Sequence, residues 1–136
     1  MLNITHLDHL VLTVKDIDVS VAFYQKLGMK KQLFLGGRVA LQFGQQKINL
    51  HQLGKEFEPK AKQVQAGSAD LCFIVSEPLE QVLDYLKEQH LSIEEGIVER
   101  TGAVGKIRSI YLRDPDGNLI ELSNYQQNIE KMPTRM

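Results

Sequence analysis

The sequence predicts an α+β fold built from two copies of the same strand–helix–strand unit. The chain has 136 residues, a length typical of one compact domain. A short apolar strand followed by a helix with one apolar face occurs twice, and each helix precedes a pair of strands around a turn. Since a unit of about 60 residues would not be very stable alone, we expect the two copies to share one core.

The first copy begins with an apolar strand at residues 7–14. Asp16 is a good N-cap for the helix that follows, and apolar residues then recur at helical spacing until Gly28 ends it. Two strands, 39–43 and 47–51, complete this copy and are separated by a short polar turn.

The second copy repeats this order. A strand at 70–75 is followed by Pro78, which suits a first helical turn. Strands at 109–112 and 119–122 are separated by Asp114-Pro-Asp-Gly117, a strong turn sequence. We therefore predict two modules, about 5–60 and 67–125, within a single domain 1–125, with 126–136 as a tail.

Aligning the two copies places side chains of one chemical type together. When the first strands are aligned, His9 falls on Asp70, an offset of 61. When the later strand pairs are aligned without a gap, His51 falls on Glu121, an offset of 70. The difference predicts an insertion in the second copy around 99–106.

These four aligned residues suggest a metal site. Histidine, aspartate and glutamate are common ligands of divalent metals, and an unpaired charge at the interior end of an apolar strand is costly. Taken singly, a strand histidine is more often a hydrogen-bonded structural residue, and a strand-end glutamate is usually solvated. The coincidence of four ligand types keeps a shared metal site and this structural interpretation both open.

Composition excludes several classes of function. Sixteen basic and 17 acidic residues give a net charge of −1, which removes the usual electrostatic case for a nucleic-acid partner. No apolar stretch is long enough to span a membrane, and the N-terminus lacks the pattern of a signal peptide. A single cysteine rules out an internal disulfide and suits a cytoplasmic location.

Two further features have competing interpretations. Cys72 lies in an apolar strand and is predicted to be a buried, inert thiol. Arg100, Lys106, Arg108 and Arg113 cluster around a glycine-containing loop. They form either a solvated face or an anion pocket into which strand alternation directs only some of them.

The motifs at the two ends of the chain resemble the vicinal oxygen chelate superfamily. The segment from His9 to Ile17, with Phe23-Tyr24 and Leu27-Gly28-Met29, resembles its opening module, and Asp114-Pro-Asp-Gly-Asn-Leu-Ile-Glu121 resembles its closing signature. That superfamily holds glyoxalase I, extradiol dioxygenases, fosfomycin-resistance thiol transferases and bleomycin-binding proteins. The segment 100–111 more narrowly resembles the branch of glyoxalase domain-containing protein 5 and bacterial virulence proteins.

The resemblance implies paired βαβββ modules forming curved mixed sheets with helices outside, a homodimer, and metal ligands inside the sheets. His9 matches the first-strand histidine ligand, and Glu121 matches the closing glutamate, which in glyoxalase I also transfers a proton. His51 stands where bacterial glyoxalase I has a glutamate. Asp70 stands where a histidine is expected, so we expect it to lie outside the direct ligands. Tyr111 matches a substrate-contacting tyrosine of the fosfomycin enzymes, although a core tyrosine fits equally well.

The function implied is that of a metal-dependent, small-molecule enzyme of glyoxalase (lactoylglutathione lyase) type. One divalent ion (zinc, nickel, manganese or iron) would be held by His9, His51 and Glu121, and would chelate two neighbouring substrate oxygens. Arg100 and Lys106 join Tyr111 as candidate substrate contacts. The alternatives are an iron(II) dioxygenase or thiol transferase on the same site, and a metal-free binding protein of the bleomycin-resistance kind.

Overall fold

The computed structural model describes residues 1–126, which contain two helices and eight strands. The predicted tail therefore lies, apart from its first residue, outside the described residues. In chain order the elements are β1 (His9–Val14), α1 (Ile17–Lys26), β2 (Lys30–Phe34), β3 (Arg38–Phe43), β4 (Gln46–Gln52), β5 (Asp70–Ile74), α2 (Leu79–Glu88), β6 (Ile93–Thr101), β7 (Lys106–Arg113) and β8 (Leu119–Tyr125).

The strands form two four-stranded mixed sheets with the same topology. Their strand orders are β1-β4-β3-β2 and β5-β8-β7-β6. In each sheet the first strand pairs in parallel with the last, and the other pairs are antiparallel. The predicted α+β fold with two copies of a βαβββ unit is confirmed.

Both helices begin where the sequence predicts. The side chain of Asp16 accepts a hydrogen bond from the Val19 amide at 3.1 Å, which satisfies one of the free N–H groups of the first turn of α1. α2 begins at Leu79, directly after Pro78. Pro78 is thus the N-cap, one position before the first turn in which it was predicted.

The described chain divides into two compact units, each with its own sheet and helix. The first unit is Met1–Ala69 with Asp114–Asn118, and the second is Asp70–Arg113 with the chain from Leu119. The core of the first unit consists of fully or nearly fully buried apolar side chains from α1 and the sheet: Val14, Val21, Tyr24, Ala40, Leu41, Ile48 and Leu50. The equivalent core of the second unit contains Leu79, Leu86, Ile107, Ile110, Leu112, Ile120 and Leu122.

A turn that follows β7 in sequence belongs to the first unit. The Tyr24 hydroxyl, which is fully buried, donates a hydrogen bond of 2.6 Å to Asp114 Oδ2. Asn118 Nδ2 donates to the same oxygen at 2.7 Å, and the amides of Asp116 and Asn118 donate to Asp114 Oδ1. Asn118 Oδ1 accepts from the Ala69 amide at 2.8 Å. The Asp-Pro-Asp-Gly sequence thus folds as a turn whose first carboxylate is fully hydrogen-bonded.

One strand per unit, β2 in the first and β6 in the second, was implied by the βαβββ resemblance but not located by the residue pattern. Both strands lie at the outer edge of their sheets. Their side chains are almost all exposed or half-buried, so neither shows the apolar pattern by which strands are predicted. β6 has nine residues, whereas β2 has five. The extra length of the second copy therefore lies in the β6–β7 hairpin, which contains the predicted insertion. Among the described helices, none has the length and apolar content needed to cross a membrane.

Candidate active site

Glu121 lies on a polar face of the second unit's sheet. The register of β7 and β8 pairs Tyr111 with Glu121 and Ser109 with Ser123, and paired residues point to the same side of a sheet. Ser109 Oγ donates to Glu121 Oε2 at 2.5 Å and lies 2.7 Å from Ser123 Oγ. Because both serines are fully buried, their hydroxyl groups hold the carboxylate of Glu121 in place.

Tyr111 and Arg100 extend this face toward the edge of the sheet. Arg100 Nε donates to the Tyr111 hydroxyl at 3.0 Å, and a second guanidinium nitrogen lies 3.3 Å from Glu95. Tyr111 is the strand partner of Glu121, and burial raises the pKa of its phenol. The structure therefore brings together three of the predicted site residues, Glu121, Tyr111 and Arg100.

Lys106 does not belong to this group. Strand alternation places it on the face of β7 opposite to Ser109 and Tyr111. Its side chain is 71% exposed, and its ammonium lies 3.6 Å from Glu99. Within the second unit, Lys106 is thus a surface residue rather than a neighbour of Glu121.

Asp70 and Cys72 share the polar face but lie at its open edge, on β5. Cys72 is the strand partner of Glu121, and Asp70 lies two positions earlier, paired with Leu119. Cys72 Sγ is 3.3 Å from Ser123 Oγ. The prediction that Cys72 is buried was wrong: the residue is exposed, because β5 is an edge strand and Cys72 lies on the face opposite to the core.

In the first unit, His9 is at the exposed start of β1. Its Nδ1 donates to Asp8 Oδ2 at 2.8 Å, and 44% of its side chain is exposed. This hydrogen bond lowers the pKa of Asp8. A partly exposed imidazole with one nitrogen so engaged keeps its other nitrogen available to a ligand.

His51 occupies a very different environment near the end of β4. The residue is 8% exposed, and within residues 1–126 its Nδ1 has no hydrogen-bond partner. Its ring packs edge-on against Phe57, with 5.4 Å between ring centroids, and the Arg38 guanidinium lies 3.8 Å from the centroid of the same Phe57 ring. Burial, followed by the charge of Arg38, lowers the pKa of His51.

The predicted ligand set does not fit a single metal ion. β1 and β4 run in parallel with His9 beside Lys47 and Thr13 beside His51. His9 and His51 are therefore four positions apart along the sheet, about 13 Å between backbone positions at the usual rise of a strand. Because strand side chains stand roughly perpendicular to the sheet, the two imidazoles do not converge to within the roughly 2 Å of one ion that coordination requires. No group of three or more histidine, cysteine, aspartate or glutamate side chains in the described chain is placed to hold an ion.

The strand registers also correct the alignment of the two repeats. His9 pairs with Lys47, and its counterpart Asp70 pairs with Leu119. The closing strands β4 and β8 therefore correspond at an offset of 72, and the predicted offset of 70 was wrong.

At the corrected offset, Asn49 rather than His51 is equivalent to Glu121. Asn49 Oδ1 is buried and has no hydrogen-bond partner among the described residues. Sequence reasoning missed this residue, although a signal was present. Ile48-Asn49-Leu50 and Ile120-Glu121-Leu122 are matching triplets at this offset.

Comparison with known proteins identifies relatives along nearly the whole chain. The chain is 56% identical over 125 residues to the glyoxalase domain-containing protein RDO1 of Mycosarcoma maydis, covering 92% of this chain and 71% of that protein. It superimposes on the crystal structure of virulence protein STM3117 from Salmonella typhimurium with a TM-score of 0.91 and 56% identity. That match covers 92% of this chain and all of the other.

A more distant match shares the fold alone. Lactoylglutathione lyase from Agrobacterium tumefaciens is 22% identical, with a TM-score of 0.67 over 88% of this chain and 93% of the other. The family model described as Glyoxalase/Bleomycin resistance protein/Dioxygenase superfamily matches residues 6–122. The chain therefore belongs to this superfamily, as its two end motifs predicted.

Proposed function

We propose that the protein is a small-molecule enzyme of glyoxalase type in which Glu121 transfers a proton. The observation that carries this proposal is the position of the Glu121 carboxylate on the polar face of the sheet. Its Oε2 accepts a hydrogen bond from Ser109 Oγ, with 2.5 Å between the two oxygens. No lysine or arginine in the described chain forms an ion pair with it. A fixed carboxylate without a basic partner is suited to general acid–base work.

The surrounding residues supply the rest of the chemistry. A substrate with oxygens on two adjacent carbons, one a hydroxyl and the other a carbonyl, would place the hydroxyl-bearing carbon near Glu121 Oε1, the oxygen not held by Ser109. Glu121 would take the proton from that carbon and return it to the carbonyl carbon, while the hydroxyl proton passes to the former carbonyl oxygen. Arg100 and Tyr111 would donate hydrogen bonds to the oxygen on which negative charge develops, since such donors act strongest where charge forms in the transition state.

A divalent metal ion is common in this superfamily, and it would supply Lewis-acid stabilisation of the same charge. The three residues predicted to hold it do not fit one ion, because His9 and His51 are four positions apart on paired strands. The roles of Glu121, Arg100 and Tyr111 therefore involve no step on a metal, and the metal content of the protein is an outcome to be measured. Metal analysis of the freshly purified protein, with His9→Ala and Glu121→Ala variants beside it, measures this directly.

The test of the proposed activity is turnover of methylglyoxal with glutathione. The protein is assayed as purified and after loading with nickel, zinc or manganese, and formation of the thioester product is followed. We expect turnover in at least one of these states. Absence of turnover in all four would overturn the glyoxalase assignment, while oxygen uptake with catechols after anaerobic iron loading would indicate a dioxygenase instead.

A metal-free binding protein is the second candidate. It is favoured by the positions of His9 and His51, which lie four positions apart on paired strands. This candidate predicts that a chelator leaves the thermal stability of the protein unchanged.

The homodimer expected for the family is likewise proposed here, and sedimentation at micromolar concentration measures it.

A further inference from the structure

An irregularity in β6 brings two charged side chains onto the face of the sheet that carries Glu121. In a regular strand, residues five positions apart point to opposite faces. Glu95 and Arg100 are five positions apart, yet each pairs with a residue of β7 that lies on the Glu121 face. The pairing of β6 with β7 shifts by one residue between Gly96 and Val98, as it does at a β-bulge.

The equivalent strand of the first unit has no such shift. β2 pairs with β3 in continuous register from Lys30 to Phe34. Of these two edge strands, only the one in the sheet of Glu121 contains an extra residue. Bulges are common next to active sites, where they redirect a side chain. The bulge in β6 has this effect, because it places Arg100 on the same face as Glu95.

Three hydrogen bonds fix the guanidinium of Arg100 on this face. Its Nε donates to the Tyr111 hydroxyl at 3.0 Å, and its Nη1 donates to the main-chain carbonyl of Glu99 at 2.8 Å. Its Nη2 donates to Glu95 Oε1 at 3.3 Å. Glu95 is also the strand partner of Tyr111. The carboxylate of Glu95 is thus the charged group that holds the guanidinium beside the phenol.

This arrangement leaves hydrogen-bond donors directed at the site of proton transfer. The Tyr111 oxygen accepts the hydrogen of Arg100, so its own O–H is left to donate. A guanidinium has five N–H groups, and the three bonds above use three of them. Tyr111 is the strand partner of Glu121, so its hydroxyl lies on the same face as the carboxylate that takes the proton.

We propose that Glu95 is a positioning residue, which holds Arg100 against Tyr111 so that both side chains donate to one substrate oxygen. The inference rests on the proposed proton transfer by Glu121. Glu95 acts through Arg100 and not on the substrate itself. Because the two donors act on charge that forms in the transition state, loss of Glu95 lowers kcat and leaves KM nearly unchanged.

The first test follows the Arg100 Nε–H group by NMR and needs no turnover. Glu95→Ala removes the acceptor, and Glu94→Ala is the matched control. Glu94 is the preceding residue, is half-exposed like Glu95, and accepts hydrogen bonds from Arg113. We expect Arg100 Nε–H to exchange with water at least about fivefold faster in Glu95→Ala, the effect of losing about one hydrogen bond, and at the unaltered rate in Glu94→Ala.

The second test measures kcat and KM for methylglyoxal with glutathione. Glu95→Ala should lower kcat at least about fivefold and change KM less than about twofold, whereas Glu94→Ala should retain both. Glu95→Gln keeps an acceptor of the same length and should restore most of kcat. Unchanged exchange of Arg100 Nε–H in Glu95→Ala, or an equal loss of kcat in Glu94→Ala, would overturn the proposal. Absence of turnover in the unaltered protein would overturn the proposed function instead, and the NMR comparison alone then decides whether Glu95 positions Arg100.

Discussion

Removing the Tyr24 hydroxyl should cost the first unit a buried, charge-assisted hydrogen bond. Tyr24 is fully buried and donates to Asp114 Oδ2 at 2.6 Å. Burial, reinforced by the neighbouring carboxylate, raises the pKa of Tyr24, so the hydroxyl keeps its proton throughout the usual range of pH. Tyr24→Phe leaves the ring in place and leaves Asp114 with its bonds from Asp116 and Asn118.

The expected loss follows from the kind of bond removed. A hydrogen bond to a charged group contributes about 1.5–3 kcal/mol. The retained donors to Asp114 keep the loss near the middle of that range, about 2 kcal/mol, which corresponds to a Tm lower by about 6–10 °C in a chain of this size. Urea unfolding at pH 7 measures the free energy, and calorimetry measures the Tm.

Tyr125→Phe is the matched control. The Tyr125 hydroxyl accepts a hydrogen bond of 3.3 Å from the Val104 amide at an exposed site, and a surface substitution of this kind usually changes stability by less than about 0.5 kcal/mol. Equal losses in Tyr24→Phe and Tyr125→Phe, or a loss below about 0.5 kcal/mol in Tyr24→Phe, would contradict a stabilising hydrogen bond from Tyr24 to Asp114.

Two further predictions concern a close backbone approach and a surface ion pair. Gly67 and Gly54 have nearly the same φ, +84° and +85°, but a Cβ on Gly67 would overlap a main-chain carbonyl oxygen while one on Gly54 would meet nothing. Gly67→Ala should therefore lower the urea midpoint more than Gly54→Ala, and equal midpoints would contradict this close approach. The bidentate hydrogen bonds from Arg108 lower the pKa of Glu80 below its ordinary value of 4.5, so the pair stabilises the fold above that value. Arg108→Gln should lower the free energy of unfolding at pH 7, and this difference from the unaltered protein should disappear as the pH falls through the lowered pKa of Glu80. A difference that is independent of pH would argue against the ion pair as its cause.

The elements with a buried apolar face were predictable from the residue pattern, and the exposed strands β2 and β6 were not. Strands β1, β4 and β8 and helix α2 carry apolar side chains at regular spacing because one face of each is buried in a core. β2 and β6 pair on one side only and expose most of their side chains. Their position depends on hydrogen bonds to a neighbouring strand, which leave no periodic pattern in the sequence.

The sequence predicted only part of the candidate site, because the register of the paired strands leaves no pattern in the sequence. Glu121 and Tyr111 were found because they lie in or near the closing motif, and the structure places them side by side. His51 was aligned with Glu121 by assuming that both hairpins have turns of equal length. The turn between β7 and β8 is in fact longer than the one between β3 and β4, which moves the equivalence to Asn49. Only the strand registers reveal this shift, and with it the separation of His9 from His51.

The most direct test of the central claim is the rate of methylglyoxal turnover with glutathione in Glu121→Gln, compared with Glu99→Gln as an exposed control. Glutamine keeps the size of Glu121 and can still bond to Ser109, but it cannot take up the proton. We expect Glu121→Gln to fold with a Tm close to that of the unaltered protein and to lose turnover by at least about 100-fold, while Glu99→Gln retains it. Turnover in Glu121→Gln equal to that of the unaltered protein would contradict the assignment of proton transfer to this carboxylate.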